Sequence, residues 1–273
     1  MNIKNLYIIL FILLIILLIL IFAYIFKRNK DPFLVYRSNL DKINTYNSLS
    51  LLNSYVDNVK VICLPERETY IKNILSKNNI TFEIFPAILK SNLKIDVLYA
   101  NNILDNSNKL NTGEIACYLS HLEILKTFLN SNYDTILIFE DDLKISYDNL
   151  NKINLKKSLE NIPSNFDILY LGKCWEICSK TEPFNSYWNT TYSPSCLHSY
   201  ILSRKGATKI LNLSYPIKIP FDNVISRNIR KNKLIGYSLK KSIFYQNREN
   251  IESLLEHGTQ LLPECVMKKK KVL

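Results

Sequence analysis

Glycine is scarce, with five residues in a chain of 273. Glycine-rich phosphate cradles are therefore largely excluded, and Gly-x-x-x-x-Gly-Lys-Ser/Thr does not occur. The Gly-x-Ser-x-Gly elbow of Ser-His-Asp hydrolases is absent too. A marked excess of basic charge within the body of the chain is also missing. The net charge of +11 is concentrated at the ends: residues 1–30 hold four basic residues and no acids, and Lys268–Lys271 hold four more. Taking those eight from the 35 leaves 27 basic residues against 24 acidic. A nucleic-acid binder carries its basic face inside the domain, so no nucleic-acid partner is expected. Basic ends suit anionic lipid headgroups better.

The six cysteines lack the spacing of a zinc site. Cys63 falls in a predicted strand and Cys117 in a predicted helix, where buried thiols are ordinary. A disulfide among Cys174, Cys178 and Cys196 is compatible with an oxidising compartment, and all six are read as structural. The sequons at Asn79, Asn189 and Asn212 decide nothing, because a chain with 32 asparagines produces that many by chance.

One long apolar run is present. Leu6 to Phe26 is 21 residues of apolar side chains and two tyrosines, enough for a hydrocarbon layer of roughly 30 Å. Ala23 is its only small residue, which favours an anchor helix over a cleaved signal peptide. Residues 1–30 are thus expected to be a membrane anchor with its flanks, and 31–57 a stem. Residues 58–265 are expected to form one globular domain, and 266–273 a basic tail. Lys27, Arg28 and Lys30 after the run outweigh Lys4 before it and lean toward a cytosolic domain. The terminal Lys270-Lys271-Val272-Leu273 has the form of a cytosolic dilysine signal, or is simply a solvated basic tail.

The domain alternates strand and helix patterns. Strands are predicted over 59–64, 81–85, 136–139, 167–172 and 199–203. Helices are predicted over 68–77, from a cap at Thr112 through the Ile115, Leu119, Leu122, Leu125, Leu129 stripe, and over 206–213. Alternation of this kind implies an α/β sandwich with a mostly parallel sheet. The run Ile136-Leu137-Ile138-Phe139 reads as a strand buried on both faces, and Glu140, Asp141 and Asp142 follow it directly. Ligands in open α/β sheets bind at the carboxyl ends of strands. Three adjacent carboxylates repel one another, and Mg²⁺ or Mn²⁺ would relieve that repulsion and hold a diphosphate. Glu114, Cys117 and His121 share one helical face. His121 is either part of the acidic site or a hydrogen-bonded structural residue.

Five segments occur in a fixed order: Val61–Arg67, Gly113–His121, Ile136–Asp142, Asp167–Gly172 and Tyr200–Ala207. Together they resemble glycosyltransferase family 25, which includes lipooligosaccharide and collagen hydroxylysine galactosyltransferases. The resemblance runs from about Val59 to Ile229. It implies a GT-A-like fold and inverting transfer of a hexose, galactose foremost, from a UDP-sugar. The acceptor would be a saccharide, a lipid-linked saccharide or hydroxylysine. The family's metal-binding motif falls on Glu140-Asp141-Asp142. By that pattern Asp142 is the direct metal ligand, Glu140 contacts metal or ribose, and Asp141 and His121 lie with the donor. Asp222 stands where an acidic residue ends the family's region and is the candidate base, or else the N-cap of a helix starting near Asn223. His198 or His257 would complete the metal shell. Cys63 and Pro65 depart from the family's first-strand pattern and leave base and sugar preference open. An inactive glycan-binding or scaffold domain and a metal-dependent nucleotidyl- or phosphotransferase are the alternatives.

Overall fold

In the computed structural model, which describes residues 47–248, a seven-stranded sheet carries the site. The expected anchor, the stem up to residue 46, His257 and the basic tail lie outside the described residues. Among the described residues, no helix is long and apolar enough to cross a membrane.

The first half of the sheet comes from β1 (Asn58–Cys63), β2 (Glu83–Pro86) and β3 (Thr135–Glu140), with helix α1 (Glu68–Lys77) between the first two. A short helix α2 (Ile95–Ala100) and the long helix α3 (Thr112–Leu129) precede β3. After β3 come β4 (Leu143–Ile145), the short helices α4 (Tyr147–Leu150) and α5 (Leu155–Glu160), and β5 (Ile168–Gly172). The chain continues through β6 (Trp188–Thr190), β7 (Ser199–Ser203), α6 (Arg204–Asn212), α7 (Phe221–Arg230), β8 (Gly236–Leu239) and β9 (Phe244–Gln246). The sheet order is β2-β1-β3-β7-β5-β8-β6, and β4 and β9 form a separate two-stranded ribbon.

Five of the seven strands run one way. The expected parallel arrangement holds for β1 with β2 and β3, and for β5 with β8. Strand β7 runs antiparallel to both β3 and β5, and β6 antiparallel to β8. Side-chain periodicity reports burial and not direction, so neither reversal could be read from the sequence.

Both faces of the sheet are covered, and the core strands alternate between two hydrophobic layers. Val59, Val61, Leu137, Phe139, Leu169 and Leu171 point to the layer that holds Ile71 and Leu75 of α1 and Leu155 and Leu159 of α5. Ile62, Ile136, Ile138, Ile168, Tyr170, Tyr200 and Leu202 point to the other, against Ile115, Leu122 and Leu125 of α3 and Ile225 and Ile229 of α7. Ile136 to Phe139 have no solvent exposure. At about 1.5–3 kcal/mol for each such side chain, their burial fixes where β3 ends and hence where the acids that follow it emerge.

Two helix starts differ from expectation. Helix α3 is capped by Asn111 and not Thr112: the Asn111 side chain accepts from Glu114 N at 2.9 Å while Glu114 Oε2 accepts from Asn111 N at 2.9 Å. This reciprocal box satisfies two otherwise unpaired donors, an advantage Thr112 could not have, being one residue too close to Glu114. Helix α6 starts at Arg204, two residues before Gly206, because the Ser203 hydroxyl caps it by accepting from Gly206 N at 3.0 Å.

Candidate active site

The carboxyl ends of β1 and β3 open into a cavity of about 500 Å³ lined by Glu140, Asp141, Asp142, His121, Cys196 and Asp222, among others. The structure therefore gathers the acidic junction, the helical histidine and the distant Asp222 around one space. The three adjacent acids have different environments.

Glu140 is the last residue of β3, and its backbone N–H donates to His198 O at 3.1 Å, joining β3 to the start of β7. Its Oε1 lies 3.1 Å from His121 Nε2, and its Oε2 accepts from Gln246 Nε2 at 3.3 Å. The other ring nitrogen, His121 Nδ1, is 2.8 Å from Tyr200 Oη. A neutral ring that donates from Nε2 to Glu140 and accepts at Nδ1 from the Tyr200 hydroxyl satisfies every partner. The ring also stacks on Phe221, with centroids 5.2 Å apart. Burial is the largest single influence and pushes the Glu140 carboxyl up, but the hydrogen bond from His121 together with the electrostatic influence of His121, His198 and Arg248 holds Glu140 below the ordinary carboxylate value.

Asp141 turns toward β1. Its Oδ2 accepts from Leu64 N at 2.7 Å and its Oδ1 from Arg67 Nη1 at 2.9 Å. Each oxygen thus holds the loop after β1, the segment in which Pro65 and Arg67 lie. Burial raises its pKa, with Leu64 N–H and the Arg67 charge opposing.

Asp142 is buried, with 5% of its surface exposed. Its Oδ2 is 3.3 Å from both Gln246 Nε2 and Arg248 Nη1, whereas its Oδ1 has no hydrogen-bond partner. An unpartnered buried carboxylate oxygen is costly. Burial, reinforced by the charge of Glu140, lifts this carboxyl to about 7. Two carboxylates in a partly water-excluded wall, one with a free oxygen, form a hard oxygen donor set that fits Mg²⁺ or Mn²⁺. Glu140 and Asp142 are the residues that would hold such an ion.

Asp222 is the second residue of α7. Pro220 occupies the N-cap position, so Asp222 is not the cap. Its Oδ1 accepts from Asn223 N at 2.7 Å, and its Oδ2 from Cys196 N at 3.0 Å. Burial raises its pKa, and the two N–H donors oppose that. A carboxylate whose pKa is raised by burial and which lines a cavity has the character of a general base.

His198 does not line the cavity. It is fully buried beneath it, with Nε2 donating to Phe244 O at 3.1 Å. Burial depresses its pKa, with the Glu140 charge and the Phe244 carbonyl opposing. The backbone seats it there because Gly172 leaves the room: a Cβ on Gly172 would stand 2.5 Å from His198 Nε2 and 2.1 Å from Phe244 O. A disulfide joins Cys174 to Cys196. Cys117 lines the cavity beside His121, and burial lifts its thiol well above the usual value.

Gln246, Arg248 and Tyr200 were not singled out as site residues from the sequence. Tyr200 falls inside a recognised segment but shows its role only through the contact with His121. Gln246 and Arg248 follow the acids by about a hundred residues and reach them because β9 pairs with β4. No local pattern marks them.

Comparison with known proteins bears on this site. Residues 53–225 match the sequence model of glycosyltransferase family 25, described as an LPS biosynthesis protein family. A putative glycosyltransferase of Haemophilus influenzae is 31% identical over 171 residues, which is 59% of this chain and 58% of that one. Procollagen galactosyltransferase 1-A of Xenopus laevis is 31% identical over 134 residues, 47% of this chain and 22% of that one. A glycosyltransferase 25 family member of Drosophila melanogaster is 26% identical over 193 residues, 66% of this chain and 31% of that one. The chain thus spans less than two thirds of the length of each of these relatives.

Proposed function

The chain belongs to glycosyltransferase family 25, and from that premise we propose that it is a transferase that moves a hexose from a nucleotide-sugar donor to a hydroxyl acceptor. The observation that carries the reading is the pairing, around one cavity, of Glu140 and the half-unpartnered Asp142 on one wall with Asp222 on another. The donor is UDP-linked, and similarity to procollagen galactosyltransferases favours galactose. The acceptor is a saccharide, lipid-linked or protein hydroxyl.

Asp222 takes the acceptor proton. The freed oxygen lone pair attacks the anomeric carbon, and the bond from that carbon to the diphosphate oxygen breaks with its electron pair. The sugar configuration inverts because base and leaving group occupy opposite faces. A divalent cation, when bound by Glu140 and Asp142, supplies Lewis-acid stabilisation of the leaving diphosphate. His121 holds Glu140 in place, and Asp141 holds the loop after β1 over the same space. The apolar run 6–26 supports a single-pass anchor. The Cys174–Cys196 bridge supports maturation where disulfides persist.

The test is a donor screen of the full chain in detergent with Mn²⁺, reading nucleotide release and product mass. Metal-dependent sugar transfer to a hydroxyl is expected. Binding of glycan without donor turnover would replace the reading with a scaffold domain. Release of pyrophosphate without sugar transfer would replace it with a nucleotidyltransferase.

A further inference from the structure

We propose that the Cys174–Cys196 disulfide is a positioning device for Asp222, holding the one backbone N–H that reaches this carboxylate from another element. The inference rests on the reading of Asp222 as the base.

Cys196 has φ of 66°, in the left-handed region. A residue with a Cβ occupies that region only when its surroundings hold it there. Here the holding is visible on both sides. Before Cys196, the chain is tied into a short antiparallel bridge: Cys174 N donates to Ser195 O at 3.1 Å and Ser195 N to Trp175 O at 3.0 Å. The fully buried Glu176 carboxylate reinforces this by accepting from Ser193 N at 2.7 Å and Tyr192 N at 3.3 Å. After Cys196, His198 O accepts from Glu140 N at 3.1 Å. The disulfide adds a covalent rung at the residue where the chain turns from the bridge into β7.

That turn directs Cys196 N at Asp222 Oδ2, 3.0 Å away. The carboxylate's other backbone donor is Asn223 N, its own neighbour on α7. Helix α7 therefore sets where Asp222 starts, and the Cys196 N–H sets which way its carboxylate faces. Without the bridge, Cys196 has no covalent reason to stay at positive φ. Relaxation to negative φ would swing its N–H away and leave the carboxylate held by Asn223 N alone, on one oxygen. A base must meet its proton within hydrogen-bond reach, so loss of orientation lowers turnover without affecting donor binding.

The experiment uses the full chain and compares Cys174→Ala/Cys196→Ala with Cys174→Ala/Cys196→Gly, each with and without Asp222→Asn. Circular dichroism establishes that every variant is folded. Loss of one hydrogen bond to a charged group corresponds to a fall of roughly tenfold or more. The Ala pair should lose about that much kcat with donor KM unchanged. The Gly pair should regain much of it, because glycine adopts positive φ without a tether. In the Asp222→Asn background the Ala pair should cost little further.

Equal losses in the Ala and Gly pairs, a loss shared by donor KM, or an undiminished loss in the Asp222→Asn background would each overturn the positioning role. If Asp222→Asn is impaired while the Ala pair turns over normally, the positioning role falls and the base stands. If Asp222→Asn itself transfers normally, the base reading falls and takes this inference with it. As a measurement independent of substitution, wild-type protein reduced with dithiothreitol should lose kcat. Here the S–S bond breaks to two thiols and the reagent closes to its cyclic disulfide. The lost kcat should return when oxidised glutathione reforms the bond. A folded, reduced protein with full kcat would overturn the proposal.

Discussion

Replacing Asp142 by asparagine should make the metal-free protein more stable at pH 8 while abolishing its stabilisation by Mn²⁺. The sign follows from the environment of the carboxyl. Burial and the charge of Glu140 lift Asp142 from 3.8 in the unfolded chain to about 7 in the fold. A folded-state value above the unfolded one means that the fold binds the proton more tightly. Its contribution is fully present below pH 3.8, is lost as pH rises toward 7, and is absent above. A shift of about three units at roughly 1.4 kcal/mol each sets a ceiling of about 4 kcal/mol on the cost of the ionised form. The side chain is 7% exposed, so solvent screens little of this. At 2–4 °C per kcal/mol for a domain of this size, the variant's metal-free Tm at pH 8 should rise by at most roughly 16 °C. At pH 4 the two proteins should melt together. The same linkage makes metal binding proton-coupled, because the ligand must ionise. Calorimetry of Mn²⁺ binding to wild type in buffers of different ionisation enthalpy should show about half a proton released at pH 7 and close to one at pH 6. Differential scanning fluorimetry with EDTA or Mn²⁺ reads the stability arm. An Asp142→Asn protein that melts below wild type at pH 8 without metal, or that Mn²⁺ still stabilises, would refute this account of the acidic wall.

Two further outcomes follow from packing. Gly172→Ala would place a Cβ 2.1 Å from Phe244 O and 2.5 Å from His198 Nε2, so β9 must move and with it Gln246. A Tm loss equivalent to about 1–3 kcal/mol is expected, together with weaker Mn²⁺ stabilisation, and retention of the full metal response would sink the link between this glycine and the site. Cys63 is 2% exposed, and burial pushes its thiol up to about 12. Iodoacetamide at pH 8 should leave it unmodified in the native protein and alkylate it in guanidinium, read by peptide mass; rapid native labelling would contradict the packing of β1.

Legibility in the sequence tracked locality. The four central strands β1, β3, β5 and β7 were readable because each carries at least three adjacent apolar residues, even where a polar residue such as Lys60 of β1 interrupts the pattern. Strands β6, β8 and β9 are three or four residues long and include polar positions such as Asn189, Ser238 and Gln246. Pairing makes them strands, and pairing is not written in a local window. The site divides in the same way. Glu140, Asp141, Asp142 and His121 stand in compact segments, and Asp222 was placed by resemblance. Gln246, Arg248 and the Cys196 N–H arrive from other parts of the chain, and backbone donors carry no sequence signature. The adjacent acids looked alike in sequence. They differ because Leu64 and Arg67 occupy both oxygens of Asp141 and leave one oxygen of Asp142 empty.

The place of β7 in the sheet has a consequence for biosynthesis. It is the seam between β3 and β5, yet it is made after both. Until residue 203 leaves the ribosome, the early half of the sheet, β2-β1-β3, has an open edge at β3, an apolar strand with unpaired backbone groups. An exposed edge of that kind recruits other chains. The nascent protein is therefore most vulnerable to aggregation during synthesis of the stretch from β3 to β7. Slowing translation there should raise the insoluble fraction, whereas slowing it after residue 203 should not.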